Sequence, residues 1–135
     1  MRHRTSLLLF FILTLAIAGY ATRTALASEG IGQVSVTATP QSFTGRCPAH
    51  LKFTARIAVD RYPMTLNYQW ERSDGAKGPV KVVKVPNANT HSVTTVDSWQ
   101  IGAKGDHLDV WEKIRVRSGN TDITSDAATV TVTCR

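Results

Sequence analysis

The chain has 135 residues and a formal net charge of +6, with 42% hydrophobic residues and two cysteines. That length is enough for one ordinary domain. The cysteines are not in a CxxC spacing, which argues against a redox or metal-binding thiol pair. Part of the positive charge lies in the first 27 residues, so it is weak evidence for a polyanionic partner, and we do not expect nucleic acid.

Residues 1–27 are predicted to form a signal peptide. A positively charged start is followed by an apolar run over residues 7–18 and by a small-x-small sequence that ends at Ala27. The run is shorter than the ~20 residues of a membrane-spanning helix; an uncleaved anchor is the alternative. Cleavage after Ala27 removes three arginines and no acid, leaving residues 28–135 as a single domain of net charge +3. We expect this domain to be secreted or periplasmic, with no membrane insertion after cleavage.

The two cysteines are predicted to pair. Cys47 lies near the start of the mature chain and Cys134 is its penultimate residue. An exported chain reaches an oxidising compartment, where such a pair forms a disulfide. On the chain-entropy argument, closing so long a loop stabilises the fold by about 4–5 kcal/mol.

The mature sequence has the pattern of seven strands and of no helix. Apolar and polar residues alternate with period two, and turns rich in Pro, Gly, Asn and Asp separate the runs. The predicted strands cover residues 33–39, 51–59, 64–71, 80–85, 91–101, 110–118 and 127–134. Each sheet must bury one apolar face against another, so we predict an antiparallel two-sheet β-sandwich. Trp70, Trp99 and Trp111 are large enough to fill its centre, and the lysines of residues 80–85 predict a sheet edge.

Several core motifs resemble one family. Tyr68-x-Trp70, followed by Asp74-Gly75, is similar to a segment of bacterial Ig-like domains and of PKD-type sandwiches. The motifs within residues 36–48, 111–116 and 125–134 resemble small secreted bacterial Ig-like domains, which are largely uncharacterised.

The resemblance covers nearly all of residues 33–134. It implies an Ig-like β-sandwich from a bacterium and supplies no functional residue. Antibody-type domains join their sheets through central strands, whereas here Cys47 precedes the second predicted strand and Cys134 ends the last. We therefore expect the disulfide to tie chain ends near one pole.

One predicted surface is strongly basic. Alternation directs Ile114 and Val116 inward and places three cations outward. Since the corresponding strands pair in Ig-like folds, this row is expected beside the polar side chains of the Trp70 strand. The predicted partner-binding face comprises Lys113, Arg115, Arg117, Asn67 and Gln69. It suits an acidic partner or an anionic cell-surface polymer; the alternative is a solvated sheet face whose cations pair with Glu71 and Glu112.

Metal and catalytic signals are weak. His50, His91 and His107 are far apart in sequence, whereas zinc or copper needs converging imidazoles. No Gly-x-Ser-x-Gly elbow is present, and Ser73 and Ser98 have no evident histidine and acid partners. We therefore expect no enzyme, no cofactor and no metal.

An acidic turn keeps one alternative open. Asp106, Asp109 and Glu112 cluster near His107 in the sequence, and Asp122 and Asp126 follow in the last connection. Carboxylates in strand-end loops can bind calcium or take part in acid–base chemistry. The alternative function is thus a small metal-binding protein or enzyme that uses the loops around Asp106–Asp109.

The leading hypothesis is a non-catalytic, secreted Ig-like interaction module. Its partner is an unidentified macromolecule, either a protein or a cell-surface polysaccharide. Lys81 and Lys84 oppose assembly through strand pairing, so a monomer is expected.

Overall fold

The computed structural model describes residues 30–135, which form nine strands and no helix. The predicted signal peptide lies outside this range. Within it, no helix is long and apolar enough to cross a membrane. The strands are β1 (Ile31–Thr39), β2 (Ser42–Gly45), β3 (Ala49–Val59), β4 (Met64–Arg72), β5 (Lys81–Val85), β6 (Ser92–Ile101), β7 (His107–Ser118), β8 (Thr121–Thr124) and β9 (Ala128–Cys134).

The strands form two sheets, which confirms the predicted β-sandwich. The smaller sheet has the order β1-β3-β6, and the larger has the order β2-β9-β7-β4-β5 with β8 also on β7. Every pairing is antiparallel except that of β2 with β9, which is parallel. β5 pairs with β4 at the end of its sheet, so its predicted edge position is correct.

Two strands were not predicted. β2 is four residues long and pairs alongside β9. β8 pairs with β7 through a two-residue hairpin in which Gly119 has a φ of +54°. Between β8 and β9, Ser125 continues the pairing by itself: its N–H donates to the Ile114 carbonyl, and its Oγ accepts from the Ile114 N–H. β8, Ser125 and β9 thus line the same edge of β7.

The core follows the predicted alternation, with one error. The alternating residues of β3 from Ala49 to Val59 are all buried, as are Trp70 and Trp99. Trp111 is not a core residue, and its predicted place at the centre is wrong. It shares the outward parity of Lys113, so the inward position beside it falls to Glu112, which is 0% exposed. Because successive side chains of a strand point to opposite faces, the side chain of Trp111 lies on the outer face although it is hydrophobic.

The disulfide lies at one pole of the sandwich, as expected. Cys47 and Cys134 are bonded, with their Cα atoms 5.3 Å apart. Gly102, in the turn after β6, packs directly on the two sulfurs. A Cβ at this position would lie 2.6 Å from Sγ of Cys134 and 3.0 Å from Sγ of Cys47, and φ is +94°.

We expect Gly102→Ala to destabilise the fold by about 2–3 kcal/mol, because it combines a left-handed backbone with a steric clash. Gly105→Ala is a matched control, since its φ is +91° and no atom lies within 4 Å of the added Cβ. The control should cost only about 1–2 kcal/mol, the backbone part. Urea unfolding of both variants checks the difference; equal losses would contradict a clash with the disulfide.

Candidate binding face

The larger sheet brings the predicted binding residues together. Asn67 lies opposite Arg117 and Gln69 lies opposite Arg115 in the pairing of β4 with β7. Lys113 follows on the same side of β7, opposite Glu71. Directly opposed residues share a face of the sheet. Lys113, Arg115, Arg117, Asn67 and Gln69 therefore form one contiguous surface, called the basic face below.

A shallow depression lies within the basic face. Its volume is about 70 Å³. Its lining consists of Asn67, Tyr68, Gln69, Val80, Arg115 and Arg117. Val80 and the neighbouring Val82 are 59% and 63% exposed, and Val82 lies opposite Asn67. The depression thus offers apolar, amide and guanidinium groups side by side.

The cations of the basic face are partly neutralised by carboxylates. Arg115 Nε donates to Asp122 Oδ1 at 2.7 Å, and Arg117 Nε donates to Asp122 Oδ2 at 3.0 Å. The hydrogen bond from Arg115, followed by that from Arg117, lowers the pKa of the Asp122 carboxyl to about 2. Asp122 therefore stays ionised throughout the physiological range.

Lys113, at one end of the basic face, makes two further contacts. Lys113 Nζ lies 3.6 Å from Glu71 Oε2 and 5.2 Å from the centre of the Trp111 ring. Glu71 is thus a partner of the cations, as the alternative interpretation expected, but Glu112 is not. Sequence reasoning missed the pairing of Asp122, although its position three residues after Gly119 places it in a hairpin opposite Arg117.

A second polar cluster lies between the sheets. Arg72 Nε donates to Glu112 Oε1 at 3.0 Å, and Arg72 Nη2 donates to Asp97 Oδ2 at 2.9 Å. The guanidinium carbon also lies 5.1 Å from the Trp99 ring centre. Arg72 and Glu112 belong to the larger sheet and Asp97 to the smaller one. Arg72 therefore links the two sheets.

Glu112 is an unusual carboxyl because it is fully buried. Burial is the main cause that raises its pKa to about 7; Asp97 raises it further, and Arg72 opposes both. Glu112 Oε2 and Trp70 Nε1 are both buried without a hydrogen-bond partner in the described part of the chain. The cluster is thus sensitive to pH within the neutral range.

The side chains of the acidic turn are engaged in hydrogen bonds. Asp106 Oδ2 accepts from the Ala103 N–H at 2.8 Å, and Asp109 Oδ1 accepts from Thr131 at 2.6 Å. His107 Nδ1 lies 3.0 Å from Thr133 Oγ1, while Glu112 points inward. Among residues 30–135, no three His, Cys, Asp or Glu side chains form a group that could hold a metal.

The remaining candidates are also dispersed. His50 lies on β3 opposite Gln100, and His91 precedes the other end of β6. Ser73 Oγ accepts from the Trp111 N–H at 3.1 Å, and the Ser98 carbonyl accepts from Arg72 at 3.3 Å. Neither serine has a histidine among its hydrogen-bond partners in the described chain.

No protein-family model matches the sequence. No curated protein matches it either. Among solved structures, the fold is similar to the CARDB domain of a Pyrococcus furiosus protein in complex with di-metal ions. The identity is 9% and the TM-score 0.54, covering 79% of this chain and 97% of that one.

Two weaker likenesses have lower scores. Dimeric latent PorU from Porphyromonas gingivalis gives a TM-score of 0.41 at 17% identity, over 76% of this chain and 9% of that chain. The sporulation control protein Spo0M from Bacillus subtilis gives 0.40 at 11% identity, over 78% and 51%. The CARDB likeness, together with the strand topology, supports an Ig-like β-sandwich, and the disulfide is compatible with an extracytoplasmic location.

Proposed function

We propose that this chain is a non-catalytic, exported Ig-like module that binds a protein partner through the basic face. The observation that carries the proposal is a depression lined by two arginines, two amides and an exposed valine, with Lys113 next in the same row of cations. The proposal includes removal of residues 1–27 as a signal peptide, action as a monomer in an oxidising compartment, and a bacterial source. That the module has no catalytic activity is part of the proposal.

The composition of the face favours a protein over a polyanionic polysaccharide. Asp122 and Glu71 neutralise part of the positive charge, which weakens the long-range field that attracts a polyanion. The depression instead places Val80 beside amide and guanidinium groups, and protein interfaces combine an apolar centre with polar neighbours and are enriched in arginine. The expected partner presents carboxylates around an apolar contact.

The CARDB likeness supports the fold of a binding module and does not identify a ligand. The metal ions of that structure are a property of that domain, and at 9% identity they do not transfer to this chain. No specific observation favours the alternative metal-dependent function around Asp106–Asp109, and we do not propose it.

The test is a crosslinking pull-down with protein purified from cells that express the full chain, against envelope and secreted fractions of the source cells. We expect replacement of Lys113, Arg115 and Arg117 by glutamine to weaken capture of the partner about tenfold or more. Exposed ion pairs such as these contribute little to stability, so the variant should remain folded.

The matched control replaces three exposed cations away from the face, namely Arg46, Arg61 and Lys104, by glutamine. It lowers the net charge equally and should leave capture unchanged. Equal loss in both variants would indicate a general charge effect and contradict the proposal. Capture of a polysaccharide in place of a protein would overturn the choice of partner.

A further inference from the structure

The edge of the smaller sheet formed by β6 differs from the other edges of the described sandwich. β5 has five residues and carries Lys81 and Lys84, and β2 has only four residues. β1 contains a register shift near its start. Short strands, lysines and bulges are devices that prevent pairing with another chain. β6 has ten residues in unbroken register with β3, and it contains no proline or lysine.

The hydrogen bonds show which backbone groups of β6 point away from β3. The Val59 N–H donates to the carbonyl of His91, so the odd-numbered residues of this strand bond to β3. Ser98, which is even-numbered, donates its N–H to Asp97 Oδ1 at 3.0 Å, and its carbonyl accepts from Arg72 at 3.3 Å. The backbone N–H and carbonyl of Ser98 are thus already bonded to side chains. The backbone N–H and carbonyl groups of Thr94 and Val96 point away from β3.

The position beside Thr94 and Val96 lies above β5. Thr95 donates to the Tyr68 hydroxyl at 2.9 Å, which places β6 over β4. β5 lies on the far side of β4, at the end of the larger sheet, so it extends past the strand that β6 covers. Val83 points toward this position and is only half-buried. An added strand would therefore cover Val83 with an inward side chain.

Charge and polarity select the occupant. Lys52 and Arg56 flank this half of β6 on the outer side of the sheet, opposite Ser98 and Thr94, and neither forms an ion pair within residues 30–135. A second copy of β6 would bring its own inward Asp97 next to apolar Val83, which is unfavourable for a carboxylate. An incoming strand with apolar inward residues would place no carboxylate beside Val83. Its acidic outward residues would lie near Lys52 and Arg56.

We propose that the Thr94–Val96 edge of β6 accepts an extended peptide segment of a partner protein, with alternating apolar and acidic residues, as a fourth strand of the smaller sheet. Recognition by strand addition derives affinity from main-chain hydrogen bonds and specificity from alternate side chains. The surface is on the opposite sheet from the basic face, so this binding is independent of the proposed function.

The probe is a capped synthetic peptide with the sequence Thr-Glu-Val-Glu-Val-Glu-Thr, added to isotope-labelled protein purified from cells that express the full chain. We expect amide shifts centred on Thr94 and Val96, and at least tenfold slower hydrogen exchange of these two N–H groups at about 1 mM peptide. The same peptide methylated on alternate backbone nitrogens should lose this effect, and that control requires no protein variant.

A second arm uses the protein. Val96→Pro removes an outward N–H that is not part of the ladder with β3, a position that an edge strand tolerates. It should weaken peptide binding about tenfold or more. Glutamate substitutions at Lys52 and Arg56 should weaken it too, whereas glutamate substitutions at Arg46 and Lys104, which are exposed cations away from this edge, should not.

The results that overturn the proposal are distinct. Amide shifts confined to β7 would place the peptide on the basic face. Shifts at Thr94 and Val96 that grow with protein concentration without peptide would identify a second copy as the occupant. Equal binding of the methylated and unmethylated peptides, or no shift at either residue, would exclude strand addition.

Discussion

Replacing Cys47 and Cys134 together by alanine is expected to lower the free energy of unfolding by about 4–5 kcal/mol. The disulfide joins residues 87 apart in sequence, so it restricts nearly the whole described chain in the unfolded state. Domains of this size have about 5–15 kcal/mol of stability in total. The variant should therefore be marginally folded, which urea unfolding at several temperatures would measure.

Chemical reduction is a suitable control, because the sequence has no third cysteine and a reductant therefore acts on this disulfide alone. Reduction should destabilise the natural chain by the same amount and leave the double variant unchanged. The variant should also have a larger m-value, since an unfolded chain without the crosslink exposes more surface. A loss below about 1 kcal/mol would contradict the chain-entropy explanation.

Gly102 provides a second check on this explanation. Its added Cβ would clash with the two sulfur atoms. In the background without cysteines, Gly102→Ala should cost no more than Gly105→Ala, because only the left-handed backbone conformation remains. Such non-additivity is expected of groups in direct contact.

The sequence was sufficient to predict the fold because its signals are local. Period-two alternation identified the inward rows of β3, β4 and β9, and these rows are buried except at Met64 and Ala128, which are half-buried. The same alternation places Trp111 outward with Lys113, so the size of its apolar side chain is a poorer guide to burial than its position in the strand.

The features that were missed depend on how the sheets are stacked. Asp122 is near Arg117 because of a two-residue hairpin, whose strand was too short to be detected by periodicity. The contact of Arg72 with Asp97 joins strands of different sheets, and no local pattern specifies which strands face each other. The pairing of β4 with β7, which aligns Asn67 and Gln69 with the cations of β7, followed from the resemblance to Ig-like domains.

The buried carboxyl of Glu112 makes stability depend on pH. In the unfolded chain its pKa is near 4.5, and in the folded chain burial raises the pKa to about 7. The folded state therefore binds this proton more tightly. The contribution to stability is complete below pH 4.5, is lost as the pH rises toward 7, and stays absent above that. Each pKa unit corresponds to about 1.4 kcal/mol, so the loss is at most about 3 kcal/mol.

Glu112→Gln is the control for this dependence. The amide keeps the shape of the side chain and does not titrate in this range. We expect urea unfolding at about pH 5 and about pH 8 to give different stabilities for the natural chain and a smaller difference for the variant. Identical pH profiles for the two proteins would show that Glu112 does not titrate between these values.

Arg72→Met is expected to have the second large effect. It should lower the free energy of unfolding by about 3–5 kcal/mol at a pH of about 8. Methionine keeps much of the aliphatic length but removes the guanidinium that bridges Glu112 and Asp97. A buried ionised carboxylate without its partner is strongly unfavourable, so the folded-state pKa of Glu112 should rise above 7 in the variant. At about pH 5 the loss should be smaller, because Glu112 is protonated there in the folded natural chain as well.

A double-mutant cycle separates the charge of Arg72 from its packing. In the Glu112→Gln background, Arg72→Met should cost less at high pH and should depend less on pH, because the buried charge is already absent. The part of the cost that persists measures the contacts of Arg72 with Asp97 and Trp99. If the cost of Arg72→Met were the same in both backgrounds at every pH, the link between the sheets would be one of packing and of Asp97, and the ionisation of Glu112 would have no part in it.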